Sequence, residues 1–197
     1  MLVLLLALEM ADVGSIVAII IYILIDIKSV VRYYNRVIKE FEMANCFILI
    51  GAPGVGKSTW VKKNEVQIWT HSTDNIIQTI CDLCGTTYDA SFKELIQFAE
   101  RIFWRDIDAD AKNNIDIYID RTNMSVKSRK RIIDRLKNKG YKFYAVVFNT
   151  PEENEWKRRL NSRDGKSIPQ DVINSMLKNF EYPTYEEGFS EIEEVTT

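Results

Sequence analysis

Histidine and cysteine are scarce in this chain of 197 residues, which has one histidine and three cysteines. An odd cysteine count without a framework spacing argues against a disulfide-stapled secreted domain. Only Cys81 and Cys84 stand in a C-x-x-C arrangement. A zinc site needs four ligands, so Cys46 and His71 would have to complete it, and Cys46 lies in an apolar run typical of a core strand. We therefore favour a reduced interior without a zinc site.

An excess of positive charge is also lacking, because 26 Lys and Arg residues are opposed by 28 Asp and Glu, for a net charge of −2. A domain that binds nucleic acid over a broad surface is usually strongly basic. Any contact with a polynucleotide must therefore come from a local patch. The length fits one ordinary domain, and a content of 46% hydrophobic and 27% charged residues is typical of a globular protein.

A long hydrophobic run occurs only near the N-terminus, where residues 13–25 carry no charge. This run is shorter than the ~20 residues that cross a bilayer, and extending it back to residue 2 includes Glu9 and Asp12. Three interpretations stay open: a membrane anchor over residues 2–25 that leaves the following domain in the cytoplasm, an amphipathic helix on a soluble protein, and an extension upstream of a true start at Met43. We expect an N-terminal hydrophobic or amphipathic helix in 1–42 and a separate domain in 43–197.

From residue 43 onward, apolar runs of strand length alternate with helical patterns. Strands are expected at 46–50, 66–70, 115–120 and 141–148. Helices are expected near 57–64, 74–83, 91–112, 126–139, 151–162 and 169–180. This order implies βαβ units, with a parallel sheet covered by helices on both faces. The predicted fold class is α/β with three layers.

The segment "GAPGVGKST" follows the first strand and opens the first helix. Its spacing, Gly51-x-x-x-x-Gly56-Lys57-Ser58, is that of a phosphate-binding loop, in which backbone N–H groups converge on a polyphosphate. We expect Lys57 to reach the β and γ phosphates of ATP and Ser58 to ligate Mg²⁺. The predicted nucleotide-binding residues are Gly51, Ala52, Pro53, Gly54, Val55, Gly56, Lys57, Ser58 and Thr59.

Polar residues follow two further predicted strands. Asp74 comes where the second strand gives way to a helix, so it is suited to accept a proton from an attacking hydroxyl, with a helix-capping aspartate as the alternative. Asp120 ends the strand expected beside the loop strand, and Thr122 and Asn123 lie just beyond it. Open parallel sheets bind ligands at this edge. We expect Asp120 to support Mg²⁺ or to line the acceptor side with Thr122 and Asn123, and the alternative is a strand-end aspartate without a functional role.

Two groups of basic residues occur in the second half of the chain. Arg159 and Arg163 are four residues apart, which suits a two-pronged grip on phosphates by a mobile lid, with a solvated basic helix as the alternative. The other group is predicted to be a solvated helix face or an electrostatic track for a polynucleotide. It comprises Lys127, Arg129, Lys130, Arg131, Arg135, Lys137 and Lys139.

Together these motifs resemble the polynucleotide 5′-hydroxyl kinase family. The likeness covers residues 46–195 and rests on the phosphate loop with its trailing Trp60, "STD", "IDRTNMS", "VVFNTPEENEWKRRLNSR" and "IPQDVINSMLKNFEYPTYEEGFSEI". It implies a P-loop kinase fold with an arginine-bearing lid. It also implies that Asp74 is the general base, that Asp120 lines the acceptor side, and that Arg163, with Arg159, is the lid arginine.

The chain departs from that family on the acceptor side. No Lys or Arg occurs from Asn64 to Phe92, and Ile77 stands where a phage member of the family has an arginine. The leading hypothesis is ATP-dependent phosphorylation of the 5′-hydroxyl of DNA or RNA, as in nucleic-acid repair. A kinase of a nucleoside or other small metabolite and a membrane-tethered nucleotide-binding switch are the alternatives.

Overall fold

A computed structural model describes residues 43–163 and 165–196 of the chain. The predicted N-terminal hydrophobic helix and its membrane anchor over residues 2–25 lie outside these ranges. In the part of the chain that is described, no helix combines the length and the apolar composition needed to cross a bilayer.

Five parallel strands form one sheet in the order β2-β3-β1-β4-β5. They are β1 (Ala44–Ile50), β2 (Thr70–His71), β3 (Ile117–Asp120), β4 (Tyr141–Phe148) and β5 (Phe189–Val195). The last three residues of β1 are apolar and buried, as expected for a central strand covered on both faces. Because β3 pairs with β1, Asp120 lies opposite Leu49, next to the start of the phosphate loop.

Six α-helices cover the sheet in the described ranges. They are α1 (Lys57–Lys63), α2 (Thr73–Cys84), α3 (Tyr88–Lys112), α4 (Val126–Leu136), α5 (Glu153–Asn161) and α6 (Gln170–Lys178). Ile48 of β1 belongs to a buried cluster with residues of α3 and α4, whereas the adjacent Leu49 belongs to a cluster with residues of α1, α5 and α6. Since neighbouring residues of a strand point to opposite faces, the helices form two layers around the sheet. The predicted α/β fold with a parallel sheet is confirmed.

One strand prediction was wrong, and one strand was missed. The stretch 66–70 was expected to be a strand because of its apolar residues, but Gln67–Trp69 forms a 3₁₀ turn and Ile68 is 80% exposed. Only Thr70–His71 pairs with β3. Strand β5 was not predicted, because its sequence "FSEIEEV" contains three glutamates. Charged side chains are expected on the outermost strand of a sheet, where they discourage pairing with another chain.

Arg129 does not belong to a solvated face or a polynucleotide track. Its side chain is fully buried, and its guanidinium donates two hydrogen bonds to the Glu187 carboxylate, at 2.8 and 2.7 Å. It also donates to the backbone oxygens of Asn123 and Glu181. A buried charge is tolerated when it is paired and fully hydrogen-bonded. Arg129 therefore fastens the segment before β5 to α4 and to the turn after β3.

Candidate functional site

The phosphate loop leaves β1 at the centre of the sheet and opens α1. Gly54 and Gly56 have positive φ values of 80° and 103°, which residues other than glycine rarely adopt. The N–H of Gly51 donates to the oxygen of Thr122, 2.9 Å away, so the loop is tied to the turn after β3. Ala52 and Val55 are buried in the apolar core beneath the loop. These contacts fix the backbone of the loop between two neighbouring strands.

The Lys57 side chain folds back over this loop. Its Nζ donates to the oxygens of Gly51, at 2.7 Å, and Ala52, at 2.8 Å. The residue is only 8% exposed, and burial lowers its pKa to about 8, an effect that the nearby Asp120 carboxylate opposes. A polyphosphate would offer this ammonium charged acceptors, which form stronger hydrogen bonds than carbonyl groups do.

Ser58 and Asp120 face each other beside Lys57. The Ser58 Oγ donates to Asp120 Oδ2 over 3.1 Å, and burial raises the pKa of the Asp120 carboxyl. Within the described residues, no group of three or more His, Cys, Asp or Glu side chains could hold a metal. Mg²⁺ in kinases is usually bound by one or two protein oxygens together with substrate phosphates and water. The Ser58–Asp120 pair fits that ion, and it favours the Mg²⁺ interpretation of Asp120 over the acceptor-side one.

Asp74 lies at the second position of α2, but it is not the cap of that helix. Ser72 is the N-cap, and its Oγ accepts from the N–H of Asn75 at 3.3 Å. The Asp74 carboxylate instead accepts from the Tyr88 hydroxyl through Oδ1, at 2.9 Å. Its Oδ2 lies 3.9 Å from Nη2 of Arg163, and its side chain is half-exposed. The capping alternative therefore does not account for Asp74.

The predicted lid arginines lie in α5 and in the loop that follows it. Arg159 Nε donates to Glu155 Oε1 at 2.7 Å. Hydrogen bonds from Arg158 and Arg159 lower the pKa of Glu155 to about 2. Arg163 is three-quarters buried, and its Nη1 atom is buried without a hydrogen-bond partner in the described part of the chain. A buried guanidinium nitrogen without a partner is costly unless a ligand completes it.

Most of the predicted site residues line one cleft of about 860 Å³ at the carboxyl edge of the sheet. Those that it brings together are Pro53, Gly54, Gly56, Lys57, Ser58, Thr59, Asp74, Asp120, Thr122, Arg159 and Arg163. Asn123 does not fit its predicted substrate-side position. It is 3% exposed, and its Nδ2 donates to the oxygen of Leu49 at 2.8 Å, so it braces β1 against the turn after β3.

Sequence reasoning missed three residues of the cleft region: Tyr88, Arg121 and Lys166. Arg121 follows β3 directly and lines the cleft, as does Lys166 of the loop after α5. The Lys166 Nζ lies 4.2 Å from the centre of the Tyr88 ring, and burial lowers the pKa of this lysine. Arg121 is paired with Glu100 at 2.6 Å, so the positive charge near Asp74 comes from the loop after α5, through Lys166 and Arg163. Only Arg121 could have been recognised as a cleft residue from the sequence, because it comes immediately after Asp120.

A phosphate loop after the central strand of a parallel sheet, with a carboxylate at the end of the neighbouring strand, is the arrangement of a P-loop nucleotide-binding domain, a class that includes kinases. Residues 47–183 match the family described as "AAA domain". The chain belongs to this AAA domain family.

Two curated relatives and one solved structure show the range of similar proteins. The bifunctional polynucleotide phosphatase/kinase of Schizosaccharomyces pombe is 28% identical over 161 residues, which cover 80% of this chain and 35% of that protein. The L-seryl-tRNA(Sec) kinase of Methanococcus maripaludis is 27% identical over 139 residues, covering 69% of this chain and 52% of that kinase. The chain thus spans about a third to a half of the length of these relatives. A candidate kinase from Chloroflexus aurantiacus has the same fold, with a TM-score of 0.61, 12% identity, and coverage of 79% and 86% of the two chains.

Proposed function

We propose that this protein transfers the γ-phosphoryl group of ATP to a hydroxyl group, and that the acceptor is the 5′-hydroxyl of a polynucleotide. One observation carries the proposal. The Asp74 carboxylate, which the cap of α2 does not use, shares a cleft with Lys57 and Ser58 and has Oδ2 3.9 Å from the guanidinium of Arg163. A nucleotide switch that binds ATP without transferring its phosphate needs neither this carboxylate nor this arginine.

The roles of the chain's own residues follow from that arrangement. The acceptor oxygen bonds to the γ-phosphorus, the bond from that phosphorus to the β–γ bridging oxygen breaks, and the hydroxyl proton passes to Asp74 Oδ2. Lys57 and Arg163 balance negative charge on the phosphates during this transfer. Ser58 and Asp120 are the residues that would hold Mg²⁺, and the ion when bound neutralises charge on phosphate oxygens.

A polynucleotide acceptor is supported by the lining around Asp74. Lys166 provides a cation for a backbone phosphate, and Phe92 and Ile96 provide an apolar surface against which a base or sugar could pack. A small polar metabolite would leave such an apolar surface unused. The relative from Schizosaccharomyces pombe is named for a polynucleotide substrate, which agrees with this acceptor class.

The proposal is tested with Asp74→Asn, which keeps the size of the side chain but removes the proton acceptor. Transfer from labelled ATP should be measured with 5′-hydroxyl DNA, 5′-hydroxyl RNA, free nucleosides, and no acceptor. We expect the wild type to label an oligonucleotide, and Asp74→Asn to lose ~10²–10⁴-fold of that transfer with little change in ATP affinity.

The matched control is Asp82→Asn, an exposed aspartate on the same helix that accepts a hydrogen bond from Gln78 Nε2 at 2.8 Å. It should transfer at the wild-type rate. Labelling of nucleosides but not oligonucleotides would refute the polynucleotide acceptor. Undiminished transfer by Asp74→Asn would refute the assigned base.

A further inference from the structure

Tyr88 is the first residue of α3, and the proposed transfer gives it no role. Its hydroxyl donates to Asp74 Oδ1 at 2.9 Å, which leaves Oδ2 on the side of Arg163. Burial, and after it the charge of Asp74, raise the pKa of the Tyr88 hydroxyl. The phenol therefore stays protonated and able to donate over the whole working pH range. Because one oxygen of the carboxylate is held in this way, the direction in which the second oxygen points is also fixed.

The start of α3 is also where the loop after α5 docks. The N–H of Asp89 donates to the oxygen of Gly165, at 3.1 Å. The Asp89 carboxylate accepts from both the N–H and the Oγ of Ser167, each at 2.9 Å. Lys166, between these two contacts, lies over the ring of Tyr88. The loop that carries Arg163 is therefore fastened to the residue that holds Asp74, and to the residue next to it.

We propose that Tyr88 is a positioning residue for the base, and that docking of the loop after α5 sets its position. The hydroxyl holds Oδ1 of Asp74 so that Oδ2 meets the acceptor, and the contacts of Asp89 and Lys166 keep Tyr88 in place. The base would then be correctly aimed only when the arginine-bearing loop is closed on α3. This inference rests on the proposed function, because it gives Tyr88 a role through Asp74.

Several charged groups and one neutral phenol face Asp74. They are Lys57 of α1, Tyr88 of α3, Asp120 of β3, and Arg163 and Lys166 of the loop after α5. Tyr88→Phe leaves all of their charges unchanged and keeps the aromatic ring under Lys166. It removes only a hydrogen bond to the ionised carboxylate, so the protonated form of the base becomes relatively more stable.

The decisive measurement is the pH profile of kcat/KM for transfer to a 5′-hydroxyl oligonucleotide. Loss of one hydrogen bond to a charged group corresponds to about one pH unit. We expect Tyr88→Phe to move the acid limb about one unit higher and to slow transfer about tenfold at a pH below that limb. The KM for ATP and acceptor-free ATP hydrolysis should stay at wild-type values, because neither depends on the aim of Asp74.

A matched control is Tyr185→Phe, which removes the hydroxyl of an exposed tyrosine outside the cleft. It should leave the profile unchanged. An unshifted acid limb in Tyr88→Phe would overturn the positioning role. That result differs from failure of the proposed function, which would be revealed by normal transfer in Asp74→Asn.

The link to the loop is tested by a double-mutant cycle with Asp89→Ala. If Asp89 acts through Tyr88, Asp89→Ala alone should also shift the acid limb upward, and combining it with Tyr88→Phe should add less than the sum of the two shifts. Fully additive shifts would overturn the coupling. Acceptor-free ATP hydrolysis, measured in each variant, reports whether the nucleotide half of the cleft is still folded.

Discussion

The two halves of the cleft are built in different ways. The phosphate half comes from one continuous segment, in which Lys57 bonds to the backbone of the loop that it belongs to and is almost completely buried. The acceptor half is assembled from α2, α3, the end of β3 and the loop after α5, with Asp74 half-exposed. The residues of the first half are set by one segment, which a few long-range bonds such as Gly51 N–H to Thr122 tie to its surroundings, whereas the second half exists only once distant segments have met.

This difference implies different sensitivities to mutation. A substitution in the phosphate half should affect every reaction of ATP, because the nucleotide is held there whatever the acceptor is. A substitution in the acceptor half should affect transfer more than acceptor-free hydrolysis. Arg163 is the exception, because it lies beside Asp74 but is expected to act on the γ-phosphoryl group.

The largest effect is expected for Lys57→Ala. Removing the ammonium from the β and γ phosphates should lower both transfer and acceptor-free hydrolysis by ~10³-fold or more, on the scale of lost electrostatic stabilisation in an active site. Both rates are measured with labelled ATP, and thermal unfolding should stay close to wild type because Lys57 does not pack in the apolar clusters. The exposed Lys62 of the same helix, replaced by alanine, is the control. Near-normal turnover in Lys57→Ala would contradict the assignment of this loop as the site that binds the phosphates of ATP.

Arg163→Ala comes next and tests the exception. Loss of a guanidinium at the transferring group should cost ~10³-fold in both transfer and acceptor-free hydrolysis. Lys157→Ala is the control, since this exposed lysine of α5 pairs with Glu153 and lies outside the cleft lining. If Arg163→Ala impaired transfer alone, Arg163 would belong functionally to the acceptor half. The functional difference between the two halves would then have no exception.

A smaller effect is expected for Gly54→Ala. Gly54 has a φ of 80°, and an added Cβ would lie 3.1 Å from Cδ2 of Leu160. The left-handed backbone costs about 1–2 kcal/mol for a residue with a side chain, and the loop or Leu160 must shift by a few tenths of an ångström, so ATP affinity should fall roughly tenfold. Gly140→Ala has nearly the same φ, 77°, but open space around the Cβ. Both variants should lose stability in urea unfolding, and only Gly54→Ala should lose ATP affinity.

The smallest effect is expected outside both halves, at Asp108. Arg135 and Lys139 bond to this carboxylate, and the bond from Arg135 is the main reason its pKa is lowered to about 2. Because the folded pKa lies below the ordinary value of 3.8, the stabilisation is complete above pH ~4 and is lost as pH falls from about 4 to 2. Asp108→Asn should therefore lower stability slightly at pH 7 and converge with wild type in acid. Urea unfolding at both pH values measures this, and kinase activity at pH 7 should not change.

The place of the phosphate loop between β1 and α1 could be predicted because its geometry depends on residues within one short segment. The spacing of Gly56, Lys57 and Ser58 specifies a loop that any β-strand-to-helix junction can form. The neighbourhood of Asp120 also followed, since adjacent parallel strands end at the same edge. These are consequences of local pattern and strand order alone.

The acceptor half could be predicted only in part. Asp74 was found as a single residue, but its partner Tyr88 depends on where α3 begins, and the predicted start at residue 91 placed Tyr88 in a loop. The Asp89–Ser167 contact joins residues 78 positions apart, and no periodicity encodes it. Asn123 was misassigned because the sequence does not reveal whether a polar residue after a strand faces a ligand or a backbone carbonyl.

The indole of Trp156 gives the phosphate loop an optical reporter. This side chain is almost fully buried, and its Nε1 donates to the oxygen of Pro53 at 2.8 Å. A hydrogen bond from an indole affects its emission, so fluorescence should change when nucleotide binding alters the strength of that bond. With Trp60, Trp69 and Trp104 replaced by phenylalanine, occupancy of the cleft could be followed in real time without a labelled nucleotide.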